Sequence, residues 1–427
     1  MTVVGSRRVA ALLASHVEGD ASDIASAVHD IKPGARVSVR VDNVLLDGPT
    51  ATQMLSVHAT LGRRAPASAT ARFAFVAGAA QSLDERRALI TFAREHDMAL
   101  KLDPARAGLP AVVAADEGLV DFDHLVAGAS PDVAGLGGLG CVALRCDPAE
   151  LARCLCGEPV ETVVPETRRL RVNGRLARWV GPVDLGVAVW ETVGGPEGLA
   201  GAVLELHGQT IDRMAVADRL SLCATLASAG IAAICPPDAS TLAWIAARRP
   251  GHCAELPSPQ LDKEPETADE EAETGDEPSL NARKVPMTAV QLPWPGTRSD
   301  PEQGDGPREE HVVVAGRVED LRVAAEVLRD RQVRPGLLLE VRPASSRILL
   351  HAIEEGLIAD LLRAGACLRP AGPVPPAEEG ERRVVSVPTG GADVLVSPAV
   401  AAATAVTGGL TDPESMRRAQ RRTSRRR

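Results

Sequence analysis

Cysteine has the most easily defined chemistry in this sequence, because its thiolate can bind a metal ion or attack an electrophile. Four of the eight cysteines lie close together, at Cys141, Cys146, Cys154 and Cys156. The last two are two positions apart in or beside a predicted helix, Pro148–Leu155, where such neighbours lie on different faces. Cys141 lies in an apolar, glycine-rich stretch. We therefore interpret these cysteines as buried structural thiols and predict no metal ligands among them.

A glycine-rich run and two histidines could indicate a phosphate-binding loop and a catalytic base, but neither pattern is specific. The run Gly135–Gly140 has the composition of a phosphate-binding loop, which means little without its strand and helix context. His124 and His207 lie at the edges of predicted strands, where a structural histidine is commoner than a catalytic base. We expect neither a nucleotide site nor a histidine base at these positions.

Composition limits the class of protein before any further motif is considered. The chain has 427 residues, of which 45% are hydrophobic, enough for two or three domains with their own cores. It has no tyrosine and only four phenylalanines, so the cores must consist of aliphatic residues, as in parallel sheets covered by helices. The net charge of -10 disfavours a nucleic-acid-binding body. Without a signal peptide or an apolar run of membrane-spanning length, the sequence predicts a cytoplasmic protein.

Short apolar runs alternate with helical patterns from Arg36 to Arg249, which predicts an α/β fold with largely parallel sheets. The run Val37–Leu46 is predicted to be a single strand. The same alternation resumes at His311, and the segment Arg347–Ala364 is predicted to be a single helix.

An acidic insert separates these two regions. Residues 262–277 are nearly free of apolar side chains and cannot bury enough surface to offset the entropy of ordering. We predict a disordered linker over residues 254–310. The tail 413–427 is rich in arginine, and we expect it to be solvated and inert rather than bound to an acidic partner.

Three segments resemble the aconitase and isopropylmalate dehydratase large-subunit family. They are Glu205–Ile211 continuing through Met214–Arg219, then Gly316–Leu328, and Val396–Ala403. The resemblance covers nearly the whole chain outside the insert. It implies three aconitase-like domains, each a mostly parallel sheet flanked by helices, without the swivelling fourth domain. Domains 1 and 2 would occupy residues 1–253, and domain 3 would occupy residues 311–412. The glycine-rich run also has a counterpart in this family, where it allows close backbone packing.

The family's hydro-lyases hold a [4Fe–4S] cluster with three cysteine thiolates. In the matching segments of this chain, the first cysteine is replaced by valine within Val312–Ala315. The other two fall within Gly372–Pro376, where both are replaced by proline. The chain contains no Cys-x-x-Cys motif. We therefore predict no iron–sulfur cluster and no other cofactor.

The residues that the resemblance assigns to acid–base catalysis are replaced as well. An Asp-Ser-His run of the family corresponds to Ala129-Ser130-Pro131, and a glutamate that works beside the iron corresponds to Ser228. An arginine-containing run that binds substrate carboxylates is deleted between Ser386 and Ala392. We therefore predict no catalytic residues. Four residues remain as candidates for a ligand pocket, although a structural role is commoner for such residues: Ser130, Arg219, Arg317 and Ser397.

Several functions remain open at this point. The leading hypothesis is a protein that does not act as a hydro-lyase and works through a small swivel-domain subunit, a catalytically competent relative, or a bound di- or tricarboxylate. The alternative is a cluster-free enzyme acting on a carboxylate metabolite between the domains. RNA binding, as in cluster-free relatives, is disfavoured by the acidic body. A last alternative is an ordinary lyase or isomerase of the family, if the segments are matched wrongly at the ligand positions.

Overall fold

A computed structural model describes residues 8–17, 31–46, 48–61, 72–75, 83–95, 108–249, 277–294, 296, 298–301, 309–375, 377, 382–389 and 393–416. Three parallel or mainly parallel sheets divide these residues into three units, here called the first, second and third unit. This architecture confirms the predicted α/β fold with mostly parallel sheets flanked by helices. No helix in the described part of the chain combines the length and apolar character that a bilayer span requires.

The first unit contains a four-stranded parallel sheet of order β3-β2-β4-β5 and a separate antiparallel ribbon, β1-β6. The strands are β1 (Arg36–Val39), β2 (Asn43–Leu46), β3 (Arg72–Phe75), β4 (Leu125–Gly128), β5 (Val142–Arg145) and β6 (Val160–Val163). The α-helices are Arg8–Ser15, Gly48–Leu61, Leu83–Glu95, Pro110–Asp116 and Pro148–Leu155, and a 3-10 helix covers Pro131–Leu139.

The prediction of one strand over Val37–Leu46 is wrong, because β1 and β2 belong to different sheets. Between them, the backbone N–H of Asp42 donates to the carbonyl of Leu125, and the Asp42 carboxylate accepts from the N–H of Leu125 at 2.7 Å. These bonds attach Asp42 to β4 and turn the chain there.

The second unit has a four-stranded, all-parallel sheet of order β10-β7-β8-β9. Its strands are β7 (Thr167–Asn173), β8 (Val203–His207), β9 (Ala233–Ile234) and β10 (Ser279–Asn281). Its α-helices are Pro182–Val193, Gly195–Leu199, Gln209–Arg213, Val216–Ser228 and Ala239–Arg248. A further 3-10 turn, Ala282–Lys284, follows β10.

The third unit has a seven-stranded sheet of order β12-β11-β17-β16-β13-β14-β15, in which β11 runs antiparallel to both of its neighbours and the other pairs are parallel. The strands are β11 (Ala289–Gln291), β12 (Arg298–Ser299), β13 (His311–Gly316), β14 (Leu338–Pro343), β15 (Cys367–Leu368), β16 (Arg383–Val385) and β17 (Val394–Leu395). The helices are Val318–Leu328, Ser346–Glu354, Leu357–Arg363 and Pro398–Thr407.

The predicted linker over 254–310 requires a correction in its second half, where β10, β11 and β12 extend two sheets. The reason is local composition: Ala282 and Val285 are buried in the core of the second unit, and Ala289 is buried in that of the third. The acidic residues 262–276 lie outside the described residues, as does the tail beyond Met416. The domain boundaries at 253 and 311 stay predictions.

The prediction of one helix over Arg347–Ala364 is also wrong. Gly356 has a φ of 76° and separates Ser346–Glu354 from Leu357–Arg363. A left-handed glycine at this point ends one helix and allows the next to start in a new direction.

Candidate functional site

The carboxyl edge of the third sheet is the first place to look for a ligand site. Strand order reverses between β13 and β16, and in open α/β sheets a crevice for ligands forms where the order reverses. Here Ser386, which follows β16, connects β16 to β13. Its hydroxyl accepts a hydrogen bond from the N–H of Ala315 and donates one to the carbonyl of Ala315, both at 2.9 Å.

Hydrocarbon side chains fill the space beside this connection. We call them the edge cluster, which consists of Val183, Leu292, Val313, Ala315, Val385 and Leu395. All of them are buried, and Val313 and Val385 have no exposed surface. Trp294, Val374 and Val387 pack against the cluster from outside. Because Val183 comes from the second unit, the edge cluster also joins the second unit to the third.

The edge cluster does not fit an iron–sulfur cluster. The position that the resemblance assigns to the first cysteine lies in Val312–Ala315, which supplies Val313 and Ala315 to the edge cluster. The segment assigned to the other two cysteines places Val374 against the same cluster. The fold therefore brings side chains of these two segments together as hydrocarbon, whereas iron–sulfur centres require thiolate ligands. The only cysteine beyond Cys253, Cys367, lies on the edge strand β15.

A buried ion pair lies at the opposite end of the same strands. Arg383 begins β16 and Asp393 precedes β17, and the two are 3% and 0% exposed. The guanidinium donates to both carboxylate oxygens, at 2.9 and 2.8 Å, and also to the carbonyl of Pro375 at 2.9 Å. This two-bond geometry is the strongest form of an arginine–carboxylate contact. Arg383 is thus engaged by the protein itself rather than presented to a ligand carboxylate.

Arg219 is almost completely buried, in the second unit. Its guanidinium donates to Asp238 at 2.6 Å and to the carbonyls of Met214 and Asp212, both at 3.2 Å. The pKa of Asp238 lies below its ordinary value because the bond from Arg219 and backbone donors outweigh the effect of burial. These contacts hold the chain before the helix Val216–Ser228, which is a structural role.

Arg317 joins the third unit to the first. Its guanidinium donates to the buried Asp116 at 2.8 Å, and its own N–H donates to Asp320 at 2.8 Å. Ser130 is half-buried after β4 and makes no capping bond to the 3-10 helix that follows it. Ser397 is fully buried in the third unit. Across the described residues, no hydrogen bond connects any two of Ser130, Arg219, Arg317 and Ser397, and their shared pocket stays a prediction.

Three carboxyls near the unit boundaries, the buried Asp184 and the half-buried Asp218 and Asp320, were not predicted from the sequence. Burial raises the pKa of Asp184 and of Asp320 to about 7 in each case. Burial and the neighbouring Glu319 raise the pKa of Asp218 to about 6. Two of them were detectable: Asp184 and Asp320 each come three residues after the residue that precedes a helix, the spacing of a capping carboxylate.

The cysteines of the first unit are distributed over two cores. Cys141 packs in one, where its thiol donates to the carbonyl of Asp121 at 2.9 Å, while Cys146 and Cys154 pack in the other. Burial raises the pKa of Cys146 to about 12 and that of Cys154 to about 11, so both remain protonated thiols. The predicted burial is confirmed for these three, and Cys156 is half-buried.

Both histidines take part in structural hydrogen bonds. His207 bonds to Glu277 at 2.8 Å, which fixes the chain just before β10. Nδ1 of His124 lies 2.7 Å from the amide of Asn43 and accepts from the N–H of Asp121 at 3.1 Å. Burial lowers the pKa of His124, so the neutral ring is favoured.

The glycine-rich run provides close packing between the first and second units. A Cβ at Gly137 would lie 2.0 Å from the carbonyl oxygen of Ala233, and a Cβ at Gly138 would lie 2.4 Å from the backbone nitrogen of Leu220. We expect Gly138→Ala to lower the free energy of unfolding by about 1–3 kcal/mol, measured by denaturant titration, because backbone atoms cannot yield easily. Gly135→Ala, whose Cβ would meet the Ala224 side chain at 3.0 Å, should cost less. Equal losses would contradict a backbone clash as the cause.

The three sheet units and their matched segments define a class, and comparison with known proteins agrees. A family model described as "Aconitase family (aconitate hydratase)" matches residues 47–294, more than half of the chain. The chain belongs to the aconitase family. The match ends before β13 and therefore before the two segments to which the resemblance assigns the cluster ligands.

Individual relatives extend the similarity beyond residue 294. The chain is similar to the 3-isopropylmalate dehydratase large subunit of Thermodesulfovibrio yellowstonii, 26% identical over 91% of this chain and 96% of that protein. It is also similar to the proteins of that name from Moorella thermoacetica, 28% identical over 79% of this chain and 82% of the relative, and from Elusimicrobium minutum, 29% identical over 70% and 74%.

Proposed function

We propose that this chain is a cluster-free member of the aconitase family that does not catalyse the family's hydro-lyase reaction. The observation that carries the proposal is the edge cluster. Val313 and Val374 come from the two segments where the family's thiolate ligands are expected; Val313 belongs to the edge cluster, and the half-buried Val374 packs against it. A Lewis-acidic iron cannot be held by such side chains.

The polar residues near the family's substrate positions support the same proposal. General acid–base catalysis needs titratable groups within reach of a substrate. Ser228, which stands at the position of a glutamate, uses its hydroxyl to donate to the carbonyl of Thr225 in its own helix, at 2.7 Å. Arg219, Arg317 and Arg383 each bind a protein carboxylate. Capture of a substrate carboxylate would have to compete with these internal pairs.

The proposed mode of action is through a partner subunit. The similar proteins carry the words "large subunit" in their names, and this chain covers 96% of the length of one of them. A small swivel-domain subunit is therefore the partner we propose first, with a catalytically competent relative as the second choice. A di- or tricarboxylate ligand held between the units would be compatible with either partner.

The test of the missing cluster is anaerobic reconstitution with iron and sulfide, followed by measurement of both elements per chain and of the thiolate-to-iron absorbance. The large subunit from Moorella thermoacetica, treated identically, serves as the control. We expect iron and sulfide at background in this chain, because the edge cluster offers no thiolate. A stoichiometric cluster in this chain would overturn the proposal.

The test of the partner is co-expression with the small subunit from the same organism, followed by size-exclusion chromatography. We expect the two chains to elute together. Elution of this chain alone, also when a competent large subunit is supplied as the alternative partner, would contradict a role through either subunit.

A further inference from the structure

The carboxyl edge of the second sheet brings together the loops that follow three of its strands. Because β7, β8 and β10 are parallel, their carboxyl ends meet at one edge. The chain places β8 and β9 on one side of β7 and then returns to place β10 on the other side. The strand order therefore reverses between β7 and β10, and in open α/β sheets ligands bind outside the carboxyl ends at such a reversal.

Short contacts join the three loops, which comprise residues 174–176, 208–214 and 282–285. The hydroxyl of Thr210, after β8, donates to the carbonyl of Gly174, after β7, at 3.0 Å. A Cβ at Gly174 would lie 3.3 Å from Cγ of Arg283, after β10, and the φ of Gly174 is 102°. Glycine thus lets the loop after β7 turn sharply and approach the loop after β10 closely. Side chains from all three loops therefore share one surface.

Four basic side chains on these loops are exposed, and within the described part of the chain none of them forms an ion pair. We call them the basic edge, which consists of Arg175, Arg213, Arg283 and Lys284. The arginines inside β7 differ in this respect, because Arg169 is paired with Glu205 and Arg171 with Glu277.

The basic edge carries an excess of positive charge. Asp212 is the one carboxylate in the three loops, against four cations. Cations held near one another without counter-ions create a positive potential that attracts anions. Guanidinium groups donate two parallel hydrogen bonds to a carboxylate or a phosphate, and an ammonium group adds a point charge. An anion with more than one charged group can contact cations from two loops at once.

We propose that the basic edge is a binding site for a small anion that carries two or more phosphate or carboxylate groups. Arg175 and Arg283 are its central contacts, because they flank the reversal between β7 and β10. The site depends neither on the loss of the iron–sulfur cluster nor on a partner subunit, since it lies on the second sheet and the edge cluster lies on the third.

Exposure of the basic edge determines how binding depends on salt. Interactions between exposed charges are screened over about 10 Å at about 0.1 M salt and over a shorter distance at higher concentrations. The affinity for the anion should therefore fall steadily as sodium chloride is added.

The experiment is isothermal titration calorimetry of the full chain with inorganic pyrophosphate and, separately, with propane-1,2,3-tricarboxylate, at about 50 mM salt. The double substitution Arg175→Gln with Arg283→Gln should raise the dissociation constant by at least about tenfold, because it removes charge-assisted hydrogen bonds. Hydrogen exchange locates the site independently. The bound anion should slow exchange in the loops after β7 and β10.

The matched control is Arg153→Gln with Arg329→Gln. Both arginines are exposed, lie outside the second unit and form no ion pair with any described residue. This double variant has the same change in net charge and should alter the dissociation constant by less than about twofold. Thermal unfolding followed by circular dichroism verifies that both double variants remain folded, as expected for changes at exposed positions.

Binding of either anion with these variant effects supports the site, and the tighter of the two identifies the group that the ligand carries. The proposal is overturned if neither anion binds, or if the two double variants weaken binding equally. Neither result changes the outcome expected from iron and sulfide reconstitution, so the two proposals fail separately.

Discussion

Replacing Asp393 with alanine is expected to lower the free energy of unfolding by about 3–5 kcal/mol. The substitution leaves the guanidinium of Arg383 buried without its carboxylate. The free energy lost by removing this charge from water is then much larger than the free energy gained from its remaining hydrogen bonds. Arg383 would keep its bond to the carbonyl of Pro375, and Thr389, which also donates to Asp393, would lose a partner. Urea titration at neutral pH measures the change.

Two variants separate the buried charge from a general loss of packing. The double substitution Arg383→Met with Asp393→Leu removes both charges and should lose much less stability than Asp393→Ala alone. Asp360→Ala breaks an exposed pair with Arg363, whose partners are 54% and 75% exposed, and should change stability by about 0.5 kcal/mol or less. A loss for Asp393→Ala as small as that for Asp360→Ala would show that water reaches this pair.

The parallel sheets could be predicted because strands that are buried on both faces appear in the sequence as continuous runs of apolar residues. Val312, Val313 and Val314 are fully buried on β13, and the helix that follows begins with the spacing of a capping acid, from Arg317 to Asp320. The strands β11 and β12 escaped prediction for the opposite reason. They have only three and two residues. A stretch of sequence long enough to show a periodic apolar pattern would also include part of the acidic run before them, which hides the pattern.

For the candidate site, the sequence predicts only which family side chains are replaced at the matching positions. From the sequence, the resemblance predicts valine and proline at the family's cysteine positions, but it does not predict that Val374 packs against the cluster that contains Val313. Contacts between distant residues remained hidden. Asp184 reaches Thr288 across 104 positions, and Arg317 reaches Asp116 across 201 positions. No local sequence pattern predicts such distant partners. A capping acid three residues after a helix start can be predicted, because its partner is the backbone N–H at the start of the same helix.

Val313→Asp tests the edge cluster directly, and we expect it to lower the free energy of unfolding by at least about 4 kcal/mol. The side chain is fully buried among hydrocarbon, so a carboxylate there would have neither water nor a counter-ion. Because burial disfavours the ionised form, the new carboxyl should have a raised pKa, and the loss should grow as the pH increases. Denaturant titration across a pH series measures both effects.

Two control variants separate the effect of the buried carboxylate from that of lost packing and from that of the same change at an exposed position. Val313→Ala only removes methyl groups and should cost about 2 kcal/mol, independent of pH. Leu338→Asp, at a position 39% exposed on the same sheet, should change stability by about 0.5 kcal/mol or less. If Val313→Asp cost no more than Val313→Ala, the edge of the sheet would have to admit water and tolerate polar groups. A ligand pocket would then be possible there, and the apolar filling that carries the cluster-free proposal would no longer support it.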